Sequence, residues 1–385
     1  MLDNIRKYKE EICALSEVNQ AEIGGICSYI FENPELGLQE FKAQKALCDY
    51  LENNGFKVER GIGSLETAFI ATYNSGKPGP TVALMAEYDS LPEIGHGCGH
   101  NIIGTSSSGA AVVLKEVMEK NGIGGVLKVM GTPAEETIGG KCTMIDEGAF
   151  EGIDVALIMH PADASMPDDI SFASVNMEYT FHGKPAHSAA CPWKGISALN
   201  CVIQMFNAVD AMRIHFKDFT RVHGIITDGG SAHNIITDKA TAVFNIRALE
   251  YEYLMEVIEA INNCAKGAAM CFGGTVDINQ ASVILKDVRN NKKLVDYVRN
   301  NMEFIGEEYI ERDLTQGIGS TDVGNVTHHI PAIQFYIRLK SGVGTHTLEF
   351  ANASGGEEGL RTLSAAMRVL ALSALDVLVD KEGVK

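Results

Sequence analysis

Four short apolar runs set the frame for this chain: TVALMAEY (81–88), GVLKVMG (125–131), DVALIMH (154–160) and AIQFYIR (332–338). Each is rich in strand formers and apolar almost throughout, and TAFIATYN (67–74) is another of the same kind. Helical patterns separate them. One covers 18–55, broken by a turn at Asn33-Pro34, and another is GAAVVLKEVMEK (109–120). An amphipathic segment runs from about Gly356 to Val379. A strand that is apolar on both faces must be covered on both, so the alternation predicts an α/β fold with a mostly parallel sheet between helices.

The middle of the chain breaks that rhythm. SFASVNMEYTF (171–181) alternates as a half-exposed strand, and a helix follows at 195–215. Two strands, 221–230 and 239–249, are joined by SAHNIITD, and a second helix (252–270) leads to TVDINQA (275–281). The order β-α-β-β-α-β describes a ferredoxin-like antiparallel sheet with two helices on one face. A chain of 385 residues suits two domains. The expected division is a catalytic domain in two parts, 1–170 and 283–385, with an inserted lid at 171–282.

In an open parallel sheet, ligands gather at the carboxyl ends of the strands. Past TVALMAEY comes DSLPEIGHGCGHN, with Cys98 and His100. Past GVLKVMG comes TPAEE, with Glu135 and Glu136; DVALIM ends in His160; past AIQFYIR comes SGVGTHT, with His346. Thiolate, imidazole and carboxylate together suit zinc or a similar first-row divalent ion. Six such groups exceed one tetrahedral site. They suit two ions sharing ligands, with one glutamate left as a base. Two ions polarise a carbonyl and make hydroxide accessible near neutral pH. In extended backbone, residues two apart point the same way, so Cys98 and His100 are expected to face one centre.

Each of these residues also has an ordinary explanation. A buried cysteine is usually a small hydrophobe, and paired acids favour a helix start. His160 alone, before a proline, would be a loop histidine. The conjunction at four strand ends is what points to metal. His96 stays open between a support for the ligands and a turn residue. Asp313 and Asp322, in DLTQGIGSTD, could form an acidic cation loop, but with so few oxygen ligands they read better as structural groups or as supports for the metal ligands. No GxSxG elbow and no GK[ST] phosphate loop is present.

Charge and cysteine content narrow the partners. The net charge of −18 disfavours nucleic acid and anionic membrane. Nine scattered cysteines without a CxxC pair, and an N-terminal segment without an apolar targeting core, imply a cytoplasmic protein. No apolar run is expected to reach the roughly 18 residues of a membrane span.

In order along the chain, EYDSLPEIGHGCGHN, TPAEETIGGK, IMHP, FHGKPAHSAA, GGSAHNIITD and GTHTLEF resemble the metallopeptidase family of aminoacylase, carboxypeptidase G and their relatives. The amidohydrolase branch is the most similar, near aminobenzoyl-glutamate hydrolase and aminoacylase-like dipeptidases. The resemblance extends from about Asn33 to Phe350. It implies a di-metal catalytic domain with a ferredoxin-like lid that also dimerises. Cys98, His100, Glu136, His160 and His346 would hold two divalent ions, zinc or manganese first, with cobalt or nickel also suited. Glu135 would be the general base and His187, in GKPAHS, the oxyanion stabiliser, supplied in many relatives by the partner subunit. Asn234 and Arg247 would hold the substrate's carbonyl and carboxylate. The substrate would be a dipeptide or an N-acyl amino acid, and the protein a homodimer.

Some residues depart from the pattern. Relatives outside this branch carry a metal histidine in an HxD motif, where this chain has Glu87 and Asp89 in EYD. That ligand would therefore come from the CGH loop. Thr237 replaces a usual proline, His233 is unusual, and Ser320-Thr321-Asp322 stands where an acid is common before the Asp. His187 could instead cap the helix starting near Gly195, and Arg247 could pair with an acid such as Glu250. A binder on the same fold without catalysis is the alternative; it would not need Glu135 beside Glu136. A closed structural zinc site in an unrelated enzyme is a third reading, and it would leave no spare glutamate.

Overall fold

The computed structural model describes residues 2–314, 317–380 and 382–384. The chain divides into two compact units. One holds the residues up to Ile170, Val288–Ile318 and everything from Asp322; the other holds Ser171–Asp287 and Gly319–Thr321. The second unit thus runs five residues beyond the expected 282 and takes in a returning tripeptide.

The first unit opens with α1 (Leu2–Glu32), which stops at Asn33-Pro34, and α2 (Phe41–Asn53). A proline disfavours helical backbone in the residue before it, so the break is local in origin. The hairpin of β1 (Lys57–Ile62) and β2 (Leu65–Asn74) follows, then β3 (Thr81–Ala86), α3 (His100–Asn121), β4 (Val126–Gly131), α4 (Gly140–Asp146) and β5 (Val155–Ala162). No residue of β1 is buried, so KVERGI has no apolar signature to announce it.

Helix α3 begins at His100, well before the expected 109. Its first turns, HNIIGTSSSG, are poor in apolar periodicity yet fully buried. Their hydroxyls are satisfied by carbonyls: Thr105 donates to Asn101, Ser108 to Gly104, and Ser107 to Met85 of β3. Buried hydroxyls paired in this way cost little.

The second unit contains β6 (Ala173–His182), β7 (Ala186–His187), α5 (Ala198–Met212), β8 (Arg221–Asp228), β9 (Ile235–Ile236), β10 (Lys239–Ala248), α6 (Tyr251–Phe272) and β11 (Thr275–Gln280). Its main sheet is antiparallel, in the order β11-β6-β10-β8. Val175, Tyr179, Phe244 and Ile246 from the sheet share one core with Val202 and Met205 of α5 and Ile258 and Ile261 of α6. This is the ferredoxin-like arrangement expected from the sequence. The two-residue strands β7 and β9 form a separate ribbon.

The chain then returns to the first unit with α7 (Lys292–Ile305), α8 (Val323–Thr327), β12 (Ala332–Arg338), α9 (Leu348–Ser354) and α10 (Glu357–Val379). The six-stranded sheet has the order β1-β2-β4-β3-β5-β12. β4, β3, β5 and β12 are parallel, while β1 and β2 are antiparallel at one edge. Val82 and Leu84 face a core shared with α1, α3 and α10, whereas Ala83 and Met85 face one shared with α4 and α8. Successive crossovers from β3 lead to β4 on one side and then to β5 on the other. This reversal opens a crevice at the carboxyl ends of those strands.

Two expectations are corrected by α10. It is buried nearly all round rather than amphipathic. It is also long and apolar enough to cross a membrane by length and composition, with 78% of that window buried in the fold. A helix that is apolar on every face belongs in a core, and α10 packs against α1, α3 and α7.

Candidate metal centre

Strand β3 runs straight into Glu87-Tyr88-Asp89, all buried. Asp89 Oδ1 lies 2.9 Å from His100 Nδ1, and Asp89 Oδ2 accepts the Glu136 N–H at 3.0 Å. An ionised carboxylate only accepts, so His100 donates through Nδ1, which leaves Nε2 for a second proton or a metal ion. Gly99, at φ +71°, turns the chain into α3 at this point. Gly104 lets the helix approach β3, because a Cβ there would sit 2.8 Å from the Glu87 carbonyl oxygen.

The acid pair stands on an unusual loop. Ala134 has φ +60°, its N–H is held by the buried Glu40 carboxylate at 2.9 Å, and its carbonyl accepts the N–H groups of Ile138 and Gly139. His346 also has positive φ, +63°, and its N–H donates to Gly97 of the GHGCGH loop at 2.9 Å. Non-glycine residues in this region are strained, and such strain collects at functional sites. His160, at the carboxyl end of β5, has Nδ1 2.7 Å from the Pro161 carbonyl, so Nδ1 donates and Nε2 is free. Its ring meets that of His100 edge-on, centroids 5.8 Å apart, and rests against Tyr336 of β12.

Three donor sets result: Cys98 with Glu136 and His346; Glu87 with His100 and His160; and His100 with Glu135 and Glu136. Within each, one atom from every residue lies within 4.8 Å of the others. Glu136 Oε1 is 3.6 Å from His346 Nε2 and 3.9 Å from His100 Nε2. Metal–ligand bonds of about 2.0–2.3 Å at tetrahedral angles put ligand atoms about 3.3–3.8 Å apart, so the spacing to His346 fits shared coordination and the spacing to His100 is slightly longer. Glu136 belongs to two sets, as a carboxylate between two ions would. One expectation changes. Cys98 and His100 do not face a single centre, because the left-handed turn at Gly99 and the start of α3 send them into different sets.

The electrostatics favour a cation. Glu87, Asp89, Glu135, Glu136 and Asp322 converge, and the buried Lys141 ammonium lies 2.5 Å from Glu87 Oε1 and 2.7 Å from Asp322 Oδ1. Burial, then the neighbouring carboxylates led by Glu136, pushes the Cys98 thiol up. Burial opposes charge on His100, but Asp89 outweighs it and raises His100 to about 10. Burial, followed by Glu87, Asp322 and Glu136, holds the Glu135 carboxyl well above the usual carboxylate range. A field that keeps a thiol protonated and an imidazole charged is one that divalent cations would neutralise.

Residues 171–270 match the family described as a peptidase dimerisation domain. Along nearly the whole chain, the protein is 34% identical over 382 residues to the mouse Xaa-Arg dipeptidase, covering 94% of this chain and 88% of that protein. The chain belongs to the M20 peptidase family. It is 31% identical to a p-aminobenzoyl-glutamate hydrolase polypeptide from Escherichia coli K12, across 89% of this chain and 72% of that one. Its fold superimposes on a dinuclear metal-binding M20 peptidase from Bacillus subtilis with a TM-score of 0.74 at 19% identity, covering 94% and 99% of the two chains. As an M20 peptidase, the protein is a metal-dependent hydrolase of peptide or amide bonds.

The remaining expected residues of this M20 chain lie in the second unit. His187 pairs with Ile235 across the β7–β9 ribbon, next to Asn234, whose carbonyl accepts the Ser188 N–H at 3.1 Å. Both His187 and Asn234 are exposed. His187 does not cap α5, since Ser197 does so. Its Nδ1 instead accepts from Ala189 and Ala190, each at 3.2 Å. Arg247 is partly buried on β10 and donates to Asn245 Oδ1 at 2.8 Å and to Ser320 Oγ at 3.3 Å. Among the described residues no carboxylate pairs with it, Glu250 included.

Sequence reasoning gave no working role to Glu87, Asp89 or Lys141. The signal was available: acids directly after an apolar strand, and a lysine at the glycine-rich start of α4, between two strands. Of the two readings of Asp322, the structural one holds, because it accepts both the Lys141 N–H and its ammonium. His96 is explained as an anchor. It is buried, its Nε2 lies 3.1 Å from the Ile30 carbonyl at the end of α1, and burial pushes it down to about 4.

Proposed function

We propose that this M20 peptidase cleaves the amide bond of a dipeptide or an N-acyl amino acid that ends in a free carboxylate. The observation that carries this reading is that Glu136 lies in one donor set with Cys98 and His346 and in another with His100, where Glu135 stands beside it. Cys98 and His346 would hold one ion, His100 and His160 the other, and Glu136 both. Zinc or manganese fits that mixture of donors. When bound, the ions supply Lewis acidity toward the carbonyl and a water acidic enough to attack near neutral pH. Glu135 would take a proton from the attacking water and return it to the leaving nitrogen.

Arg247 supports the carboxylate requirement, since a partly buried guanidinium whose partners among the described residues are neutral favours an anion. The relatives' names point the same way: one is a dipeptidase for Xaa-Arg, the other a hydrolase of an aminobenzoyl amide of glutamate. His187 would stabilise the oxyanion, supplied by the partner of a homodimer, a reading supported by the description of residues 171–270. Nine scattered cysteines without a CxxC pair suit a reducing cytoplasm.

The test is a screen of dipeptides, N-acyl amino acids and their C-terminal amides, with zinc, manganese and cobalt each supplied to apo-protein. Metal-dependent cleavage of the free acids is expected. Failure to cleave any of them with any metal would sink the proposal.

A further inference from the structure

Glu87 is buried at 1% exposure and is used on one side only. Its Oε1 accepts from Lys141 Nζ at 2.5 Å. Its Oε2 lies 3.4 Å from His100 Nε2, and neither atom has a hydrogen-bond partner among the described residues. Asp89 occupies Nδ1 of His100, so Nε2 is the nitrogen turned toward the bare carboxylate oxygen. The two atoms make no hydrogen bond to each other, and two buried unpartnered polar atoms cost free energy that a cation bound between them would offset.

We infer that Glu87 is a further ligand, completing the ion held by His100 and His160. This rests on the two-ion reading above and adds to it. The 3.4 Å separation is close to the roughly 3.3 Å expected between nitrogen and oxygen ligands of a tetrahedral ion. His160 belongs to the same set, with Nε2 free because Nδ1 is held by the Pro161 carbonyl. Lys141 does not compete for Oε2. Asp322 takes the lysine's other side with Oδ1 at 2.7 Å and fixes its backbone N–H with Oδ2 at 2.9 Å. The lysine thus orients the carboxylate and offsets part of its charge, leaving one oxygen for the ion. The two ions would then differ in character: one carries the Cys98 thiolate, the other nitrogen and oxygen ligands only.

That difference gives a readout independent of turnover. Cobalt(II) bound by a thiolate shows sulfur-to-metal charge-transfer absorption in the near ultraviolet, so the band reports the Cys98 ion alone. Apo-protein is titrated with cobalt while absorbance and bound cobalt per chain are followed. The wild type is expected to bind two ions and show the band. E87Q is expected to keep the band and one ion, and to bind the second at least about 10-fold more weakly against a competing chelator. Because E87Q leaves Lys141 partly unpaired, the double variant E87Q/K141M removes the pair together and is expected to behave alike. Either folded variant binding two ions with wild-type affinity overturns the assignment. So does a crystal structure of the metal-loaded wild type with both Glu87 oxygens beyond coordination distance. A wild type that binds no more than one ion would instead overturn the two-ion reading itself.

Discussion

Asp89 and His100 are locked together: the carboxylate takes the Nδ1 proton of the imidazole at 2.9 Å and leaves Nε2 facing the other donors. The same aspartate steadies the Glu136 backbone at 3.0 Å, so one buried side chain orients residues from two strand ends. Removing it frees the ring to rotate and change tautomer. Asp89→Ala is expected to weaken binding of the ion held by His100 and His160 by about 10- to 100-fold, the usual effect of losing such a partner. Chelator competition on folded protein measures this, and unchanged affinity would show that Asp89 does not govern the ring.

Glu135 and Glu136 are adjacent but are expected to fail differently. Glu135→Gln should retain both ions and lose at least about 100-fold in kcat, the scale of a positioned general base. Glu136→Gln should lose metal, because its carboxylate sits in two donor sets. Elemental analysis beside steady-state kinetics separates the two. A Glu136→Gln enzyme that keeps both ions and full activity would reverse the assignment.

Arg247 has only neutral partners among the described residues, Asn245 and Ser320. If it anchors the substrate carboxylate, Arg247→Ala should lower kcat/KM for free acids at least about 10-fold more than for the corresponding C-terminal amides. Equal losses on both series would make the arginine a structural residue of β10.

His187 stands exposed on the β7–β9 ribbon, with Nδ1 already engaged by its own turn. If it completes the partner's site, coexpressed Glu135→Gln and His187→Ala chains should complement each other. Random pairing makes about half the dimers mixed, each with one intact site, which gives about a quarter of wild-type activity. Mixed dimers that form but remain inactive would place His187 in its own chain's site, and a fully active His187→Ala homodimer would place it outside catalysis.

Much of this was legible along the chain. The apolar runs of β3, β4, β5 and β12 announced themselves because strand burial on two faces leaves a local, continuous signature. The donors at their ends followed from where parallel sheets bind ligands, and the ordered succession of motifs tied them to one family. Helix α7 was missed although Leu294, Val298 and Met302 lie at helical spacing. β1 was missed because an exposed edge strand needs no apolar pattern.

What residues 95–104 do was decided by the tertiary structure. Read as extended backbone, Cys98 and His100 share a direction; in the fold, the left-handed turn at Gly99 and the close approach permitted by Gly104 divide them between two donor sets. The same holds for Glu87, whose role depends on a lysine 54 residues away and, through it, on an aspartate 181 residues beyond that. The sequence by itself determined which residue types would reach the ends of the sheet, because periodicity and turn chemistry act over a few residues. Which of them face one another, and which are neutralised by a distant partner, was decided only by the packed fold, because the cost of a buried charge depends on every group within a few ångströms, however far apart along the chain.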